Sequence, residues 1–177
     1  MKKKILFILV VLIAATFIYA KFITRVFHSE ISIPQPIALI NKQVSTVDNI
    51  AKWYLPFASG DSTKFKFTPG KVEYANTSLN ISKHVGLSIW YEVAENKNQQ
   101  TVMFSVLVDT GHSSKVILSY ESTWWNKIFG SNSIIKSAEE SLKNLKEYFA
   151  DTKKMYGYQM EVEEVTDTAF VFTSKVV

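Results

Sequence analysis

Late in the sequence, Ile135, Ala138, Leu142, Leu145 and Phe149 recur at intervals of three, four, three and four residues. This is the spacing of one face of an amphipathic α-helix. Ser131 or Ser133 can cap its start and Gly157 lies shortly past its end, so the pattern predicts a helix over residues 132–154. At 1.5 Å per residue that helix is about 34 Å long, enough to cross a whole sheet. So long an apolar stripe needs an equally broad apolar partner, and the rest of the chain must supply it.

The sequence before it reads as that partner. Between residues 64 and 123, short runs rich in β-branched and aromatic residues alternate with turn signals. Residues 64–67 and 71–74 flank Thr68-Pro69-Gly70, and residues 78–84 and 86–94 follow. Residues 95–100 read as a polar hairpin loop, and 101–109 and 115–123 are separated by a second loop at 110–114. Six strands with short connections imply an antiparallel meander. Residues 101–109 are apolar in both alternating phases, which predicts a strand covered on both faces. Upstream, residues 25–33 form a seventh strand, ended by Pro34-Gln35-Pro36. Ile37, Ala38, Ile40 and Val44, then Ser45-Thr46 as a cap with Asp48 in the first turn, predict two short helices ending near Trp53. The expected fold class is α+β, a curved antiparallel sheet of about seven strands wrapped around a long C-terminal helix.

Residues 5–20 are uncharged and directly follow Lys2, Lys3 and Lys4. Sixteen residues fall below the roughly 20 that span a bilayer unaided. Phe22 and Ile23 lengthen the run if Lys21 snorkels toward the interface. A cleavable signal peptide shares this basic start and apolar core, but Ile18 and Tyr19 suit a cut after Ala20 poorly. The expectation is an uncleaved transmembrane anchor over residues 1–24. The three leading lysines favour a cytoplasmic N-terminus with the folded domain outside, against Lys21 and Arg25 on the other flank. The folded domain is expected over residues 25–155, and residues 156–177 form an extended tail.

Charge and composition narrow the function. Twenty basic residues face sixteen acidic ones, yet without Lys2, Lys3, Lys4 and Lys21 the numbers from Thr24 onward are equal. The net charge of +4 therefore belongs to the N-terminal segment and gives no support to nucleic-acid binding. Absence of cysteine removes disulfides, thiolate metal sites and cysteine nucleophiles.

Few residues spell out chemistry. His28, His84 and His112 fall in three different elements without metal-ligand spacing. Ser113 and Ser114 adjoin His112 on a hairpin loop, where neighbours seldom aim at each other, and there is no nucleophile elbow. Asp109 and Glu121 could meet at strand ends, and Glu139 and Lys143 form an i,i+4 pair on the helix's polar face. No catalytic, metal or cofactor residue is expected. The aromatic residues say more. Trp53, Tyr54, Trp90 and Phe104, closed over by Leu142 and Leu145 from the helix, are the candidate residues of a ligand cavity between sheet and helix. Trp90 and its neighbour Tyr91 cannot both look inward.

The order of elements resembles the helix-grip fold of the SRPBCC, or START-like, superfamily, which includes polyketide cyclase/dehydrase-like proteins. Phe27-His-Ser-Glu-Ile-Ser-Ile-Pro34 is similar to the opening strand of bacterial members, and Asn49-Ile-Ala-Lys-Trp-Tyr-Leu-Pro-Phe57 to their tryptophan-bearing segment. Trp124-Trp-Asn-Lys-Ile-Phe-Gly130 and Ser141-Leu-Lys-Asn-Leu-Lys-Glu147 resemble the entry and middle of their last helix. The likeness covers roughly residues 26–151, and many such proteins carry a lysine-led membrane helix. The glycine-rich strand segment common among them is missing, and no cyclase motif appears, so that chemistry is not carried over. The resemblance implies a membrane-anchored, non-catalytic domain that binds a hydrophobic small molecule or lipid. The alternatives are a cyclase/dehydrase-like enzyme using polar cavity groups, and an interaction module pairing through residues 168–177.

Overall fold

The computed structural model describes residues 2–130, 132–156, 159–160 and 174–175. Its strands are β1 (Thr24–Ile33), β2 (Lys66–Thr68), β3 (Lys71–Tyr74), β4 (Thr77–Val85), β5 (Ser88–Glu95), β6 (Asn98–Thr110) and β7 (Ser113–Thr123). They form one antiparallel sheet in the order β1-β7-β6-β5-β4-β3-β2. The meander from β2 to β7 follows from the short turns. β1 returns to pair with β7 along its whole length, Thr24 opposite Thr123 and Ile33 opposite Ser114. Register shifts between Ile81 and Lys83, and between Val108 and Thr110, bend the strands as bulges do.

The helices are α1 (Lys2–Phe22), α2 (Ile37–Val44), α3 (Val47–Ile50), α4 (Trp124–Phe129), α5 (Ser133–Ala150) and α6 (Thr152–Tyr156). The apolar stripe lies on α5 as expected, with Ile134, Ile135, Ala138, Leu142, Leu145, Tyr148 and Phe149 buried. These residues share one core with the inner faces of the strands, including Val102, Phe104 and Val106 of β6 and Val116, Leu118 and Tyr120 of β7. The helix-grip arrangement is thus present: a curved antiparallel wall holding a long C-terminal helix.

Several local expectations need correction. The helix is capped by Asn132, whose Oδ1 accepts from the Ile134 and Ile135 amides at 3.1 and 3.3 Å, in place of Ser133, while Ser131 lies outside the described residues. It also ends earlier, because Asp151 takes an extended conformation and its carboxylate accepts from the Lys154 amide at 3.0 Å, starting α6. The expected loop at 95–100 is a two-residue turn: Asn96 adopts a φ of 56°, and Glu95 pairs with Asn98 so that the ladder continues. Strand β6 is covered on one face only. Val102, Phe104 and Val106 are buried, whereas Met103 and Ser105 are half-buried and Leu107 and Val108 exposed, since the convex side of the sheet carries no layer over them. Asp109 and Glu121 sit at opposite ends of the β6–β7 hairpin, separated by the antiparallel register.

At the N-terminus a helix forms, but among the described residues no helix is long and apolar enough to cross a membrane. Helix α1 has 21 residues, yet its uncharged stretch of sixteen covers only about 24 Å, against a hydrocarbon core of about 30 Å. Of the expected tail at 156–177, Tyr156 ends α6, Gln159–Met160 pairs antiparallel with Ser174–Lys175, and the rest lies outside the described residues.

Candidate functional site

Beneath the middle of α5, the segment after α3 brings Trp53 and Tyr54 onto the concave face of the sheet. Both meet Phe104 edge-to-face, with ring centroids 5.6 and 6.3 Å apart, and Tyr91 meets it at 6.1 Å. Such crossed rings interdigitate with little space between them. Trp53, Tyr54, Tyr91 and Phe104 are at most 1% exposed, and Leu142 and Leu145 close over them at 3% and 0%. Five of the six candidate residues therefore lie in one core, and that core is filled by its own side chains. Ser141 of α5 ties the segment down, accepting from the Leu55 amide at 2.8 Å.

The sixth candidate is elsewhere. Trp90 stands on the convex face, half-buried, with Lys83 Nζ 4.9 Å from its ring centroid. It borders an open groove of about 330 Å³ together with Val26, Met103 and Ser119. The reason is the pleat: Tyr91 takes the inward position, and its hydroxyl donates to the Val44 carbonyl at 2.5 Å.

The phenols of Tyr54 and Tyr91 differ. Tyr91 has that partner, whereas the Tyr54 hydroxyl has none among the described residues. Burial raises the pKa of Tyr54 far above the ordinary phenol range, with the charge of Glu95 adding to it, so the group stays protonated.

An apolar cleft does open at the C-terminal end of α5. It measures about 400 Å³, its walls are Phe57, Phe65, Phe67 and Tyr148, and Asp48, Lys52 and Lys154 stand at its rim. Phe57 belongs to a short 3-10 turn after α3, Phe67 to β2 and Tyr148 to α5, so three separate elements converge there. Phe65 organises the wall: its ring lies 5.7 Å from Phe57, 6.1 Å from Phe67 and 5.0 Å from Tyr74. Gly60 permits that packing, because a Cβ there would come within 2.7 Å of the Tyr74 ring and 3.0 Å of the Phe65 ring. Lys52 donates to Asn49 Oδ1 at 3.0 Å, and Lys154 stands 3.7 Å from Asp151, so the rim is polar and solvated.

A polar cluster lies toward the other end of α5. Glu139 Oε1 accepts from Lys127 Nζ at 2.5 Å and from Ser29 Oγ and Tyr120 Oη, both at 2.7 Å, while Lys127 also donates to Tyr120 Oη at 2.7 Å. Burial pushes the Glu139 carboxyl up, but the hydrogen bonds from Lys127, Ser29 and Tyr120 outweigh it and hold the pKa below the usual range. Expected on the polar face beside Lys143, Glu139 instead bolts α5 to β1, β7 and α4. Among the described residues no three histidine or carboxylate groups gather as metal ligands. His28 Nδ1 lies 2.8 Å from Ser119 Oγ, and His84 Nε2 lies 3.1 Å from the Gly86 carbonyl.

Sequence reasoning missed Phe65, Phe67 and Tyr148. The two phenylalanines alternate with Lys64 and Lys66 in an ordinary strand pattern, and Tyr148 is merely the neighbour of Phe149. Nothing local marks them as one wall.

No protein-family model matches the sequence, and no curated protein matches it. Solved structures do. An uncharacterised protein from Bacillus thuringiensis aligns with 72% of this chain and 100% of its own, at 15% identity and a TM-score of 0.50. CalU16 from Micromonospora echinospora aligns with 71% of this chain and 65% of its own, at 13% identity and a TM-score of 0.50. A START superfamily protein from Mycobacterium smegmatis aligns with 71% and 97%, at 10% identity and a TM-score of 0.47. At such identities the first two likenesses are likenesses of fold, and they agree with the helix-grip architecture.

Proposed function

We propose that this chain is a membrane-attached helix-grip domain of the SRPBCC type that holds an apolar small molecule or lipid chain without transforming it. The observation carrying this reading is the cleft of about 400 Å³ walled by Phe57, Phe65, Phe67 and Tyr148. Covering about 200 Å² of apolar ligand surface there contributes about 5 kcal/mol before the costs of association. The space under the middle of α5 is not the binding place in this proposal, since aromatic side chains occupy it. Lys52, Asp48 and Lys154 meet the polar end of the ligand at the rim. The polar cluster at Glu139 satisfies its own groups, which supports a binding role over the cyclase/dehydrase alternative.

Attachment rests on the sequence of α1. From Phe7 to Tyr19 its side chains, Thr16 apart, are apolar, and the large ones are 38–70% exposed, a pattern suited to lipid and costly in water. Because the uncharged run is short, a spanning position requires Lys21 to reach back to the interface. Lys2, Lys3 and Lys4 favour a cytoplasmic N-terminus and an extracytoplasmic domain, which a reporter fused after Val177 would read out.

Photolabelling tests the binding. The full chain in lipid nanodiscs is irradiated with a long-chain fatty acid bearing a diazirine, and adducts are mapped by mass spectrometry. Adducts on residues 57–67 and on Tyr148 are expected. Adducts confined to residues 5–23 would mean that only the lipid-facing helix meets the probe, and the cleft reading would fall.

A further inference from the structure

Helix α4 is short, and four of its six residues are apolar or aromatic. Trp124, Ile128 and Phe129 are 43%, 67% and 62% exposed. The same corner carries Phe22, Ile23 and Val26 at 70%, 43% and 54%. A contiguous apolar patch of this kind marks a contact surface. Its depth is set by α1: the Trp125 ring lies 5.6 Å from Phe17 and 4.3 Å from Phe129. Phe17 falls inside the uncharged run, four residues before Lys21, or about 6 Å along the helix axis. A helix packed beside that turn must share its depth.

Charge points the same way. Glu121 stands opposite Val26, and Lys127 and Lys136 are paired with Glu139 and Glu140, which leaves Lys21 and Arg25 as the cations of this corner with no carboxylate partner among the described residues. Arg25 hydrogen-bonds to Tyr19 and stacks over its ring at 5.6 Å, which holds a cation at the end of α1 beside the aromatic patch. Tryptophan and tyrosine at the edge of an apolar zone, with cations just outside it, are the composition of a membrane–water interface.

We infer that α4 is an interfacial foot: it lies at the headgroup level of a phospholipid bilayer, with Trp124, Ile128 and Phe129 in the acyl boundary and Lys21 and Arg25 beside lipid phosphates. The inference rests on the membrane reading of α1 and adds that the domain is seated on the bilayer by the end where β1 begins and β7 runs into α4, rather than hanging from a tether. Glu139, bonded to Lys127 of α4, passes that contact to the long helix.

The absence of cysteine makes a clean test possible. Full-length Ile128→Cys carries an environment-sensitive dye in phosphatidylcholine/phosphatidylglycerol vesicles containing lipid with a nitroxide near the headgroup. Full-length His112→Cys, on the exposed turn at the far end of β7, is the control, about 33 Å away along the strand. The expected result is a blue-shifted dye at position 128 that loses most of its emission to the nitroxide, while the dye at 112 keeps its own. If both dyes stay in water while the chain floats with the vesicles, attachment by α1 stands and the foot is overturned. A chain that does not float overturns the membrane reading and the foot together.

Discussion

The middle of the grip and its C-terminal end have the same kinds of residues and opposite outcomes. Under the middle of α5, Trp53, Tyr54, Tyr91 and Phe104 cross one another and exclude solvent. At the C-terminal end, Phe57, Phe65, Phe67 and Tyr148 surround open space of about 400 Å³. The first set is backed on two sides, by α5 above and strands below. The second is gathered where β2 and β3 are short and α5 ends, so the sheet no longer reaches the helix. Aromatic content alone therefore does not make a pocket; the lengths of the elements around it do.

The largest effect that would sharpen this contrast is Leu145→Ala. Leu145 is fully buried, and its truncation leaves a cavity costing about 2–5 kcal/mol. Chemical denaturation should show that loss, with photolabelling at the cleft retained in the folded fraction. Tyr91→Phe comes next: it strips the Val44 carbonyl of its buried donor and should cost about 1–3 kcal/mol. Tyr54→Phe, by contrast, removes a hydroxyl that has no partner and should leave the midpoint unchanged or raise it. If the two variants lose equal stability, the difference drawn between these phenols is wrong.

At the other end, Phe67→Asp alters an exposed wall residue, so stability should move within about 0.5 kcal/mol. Probe capture should fall about tenfold, equivalent to about 1.4 kcal/mol. Equal capture by this variant would break the assignment of the cleft. Last, Glu139 titrates below the usual carboxyl range in the folded chain. Its contribution is present above the unfolded pKa of about 4.3 and is lost as pH falls through the lower folded value. Glu139→Gln should therefore flatten the acid limb of the stability profile in that window and leave the neutral region comparatively unaffected in slope.

Much of the fold could be read from neighbours in sequence. The period of α5, the strand-and-turn meander, the seventh strand ending at Pro34 and the paired short helices all depend on spacings of two to four residues. Errors clustered where a choice hung on one residue. Asn132 displaced Ser133 as the cap, Asp151 divided the long helix, and Asn96 tightened a loop into a turn. The candidate site was less legible. Trp53, Tyr54, Phe104, Leu142 and Leu145 are together, but Trp90 yielded the inner face to Tyr91. No sequence signal distinguished a filled interior from an open one.

What the chain's order of residues determined is its set of elements and the apolar face of each, because these follow from contacts within a turn or a pleat. Only tertiary structure decided that Glu139 meets Lys127, that Phe65 joins Phe57 and Tyr148 around one space, and that Trp125 lies beside Phe17. Those pairings join positions eight to more than a hundred residues apart. They exist because sheet curvature and helix length carry the elements to common ends, a geometric sum that no local pattern contains.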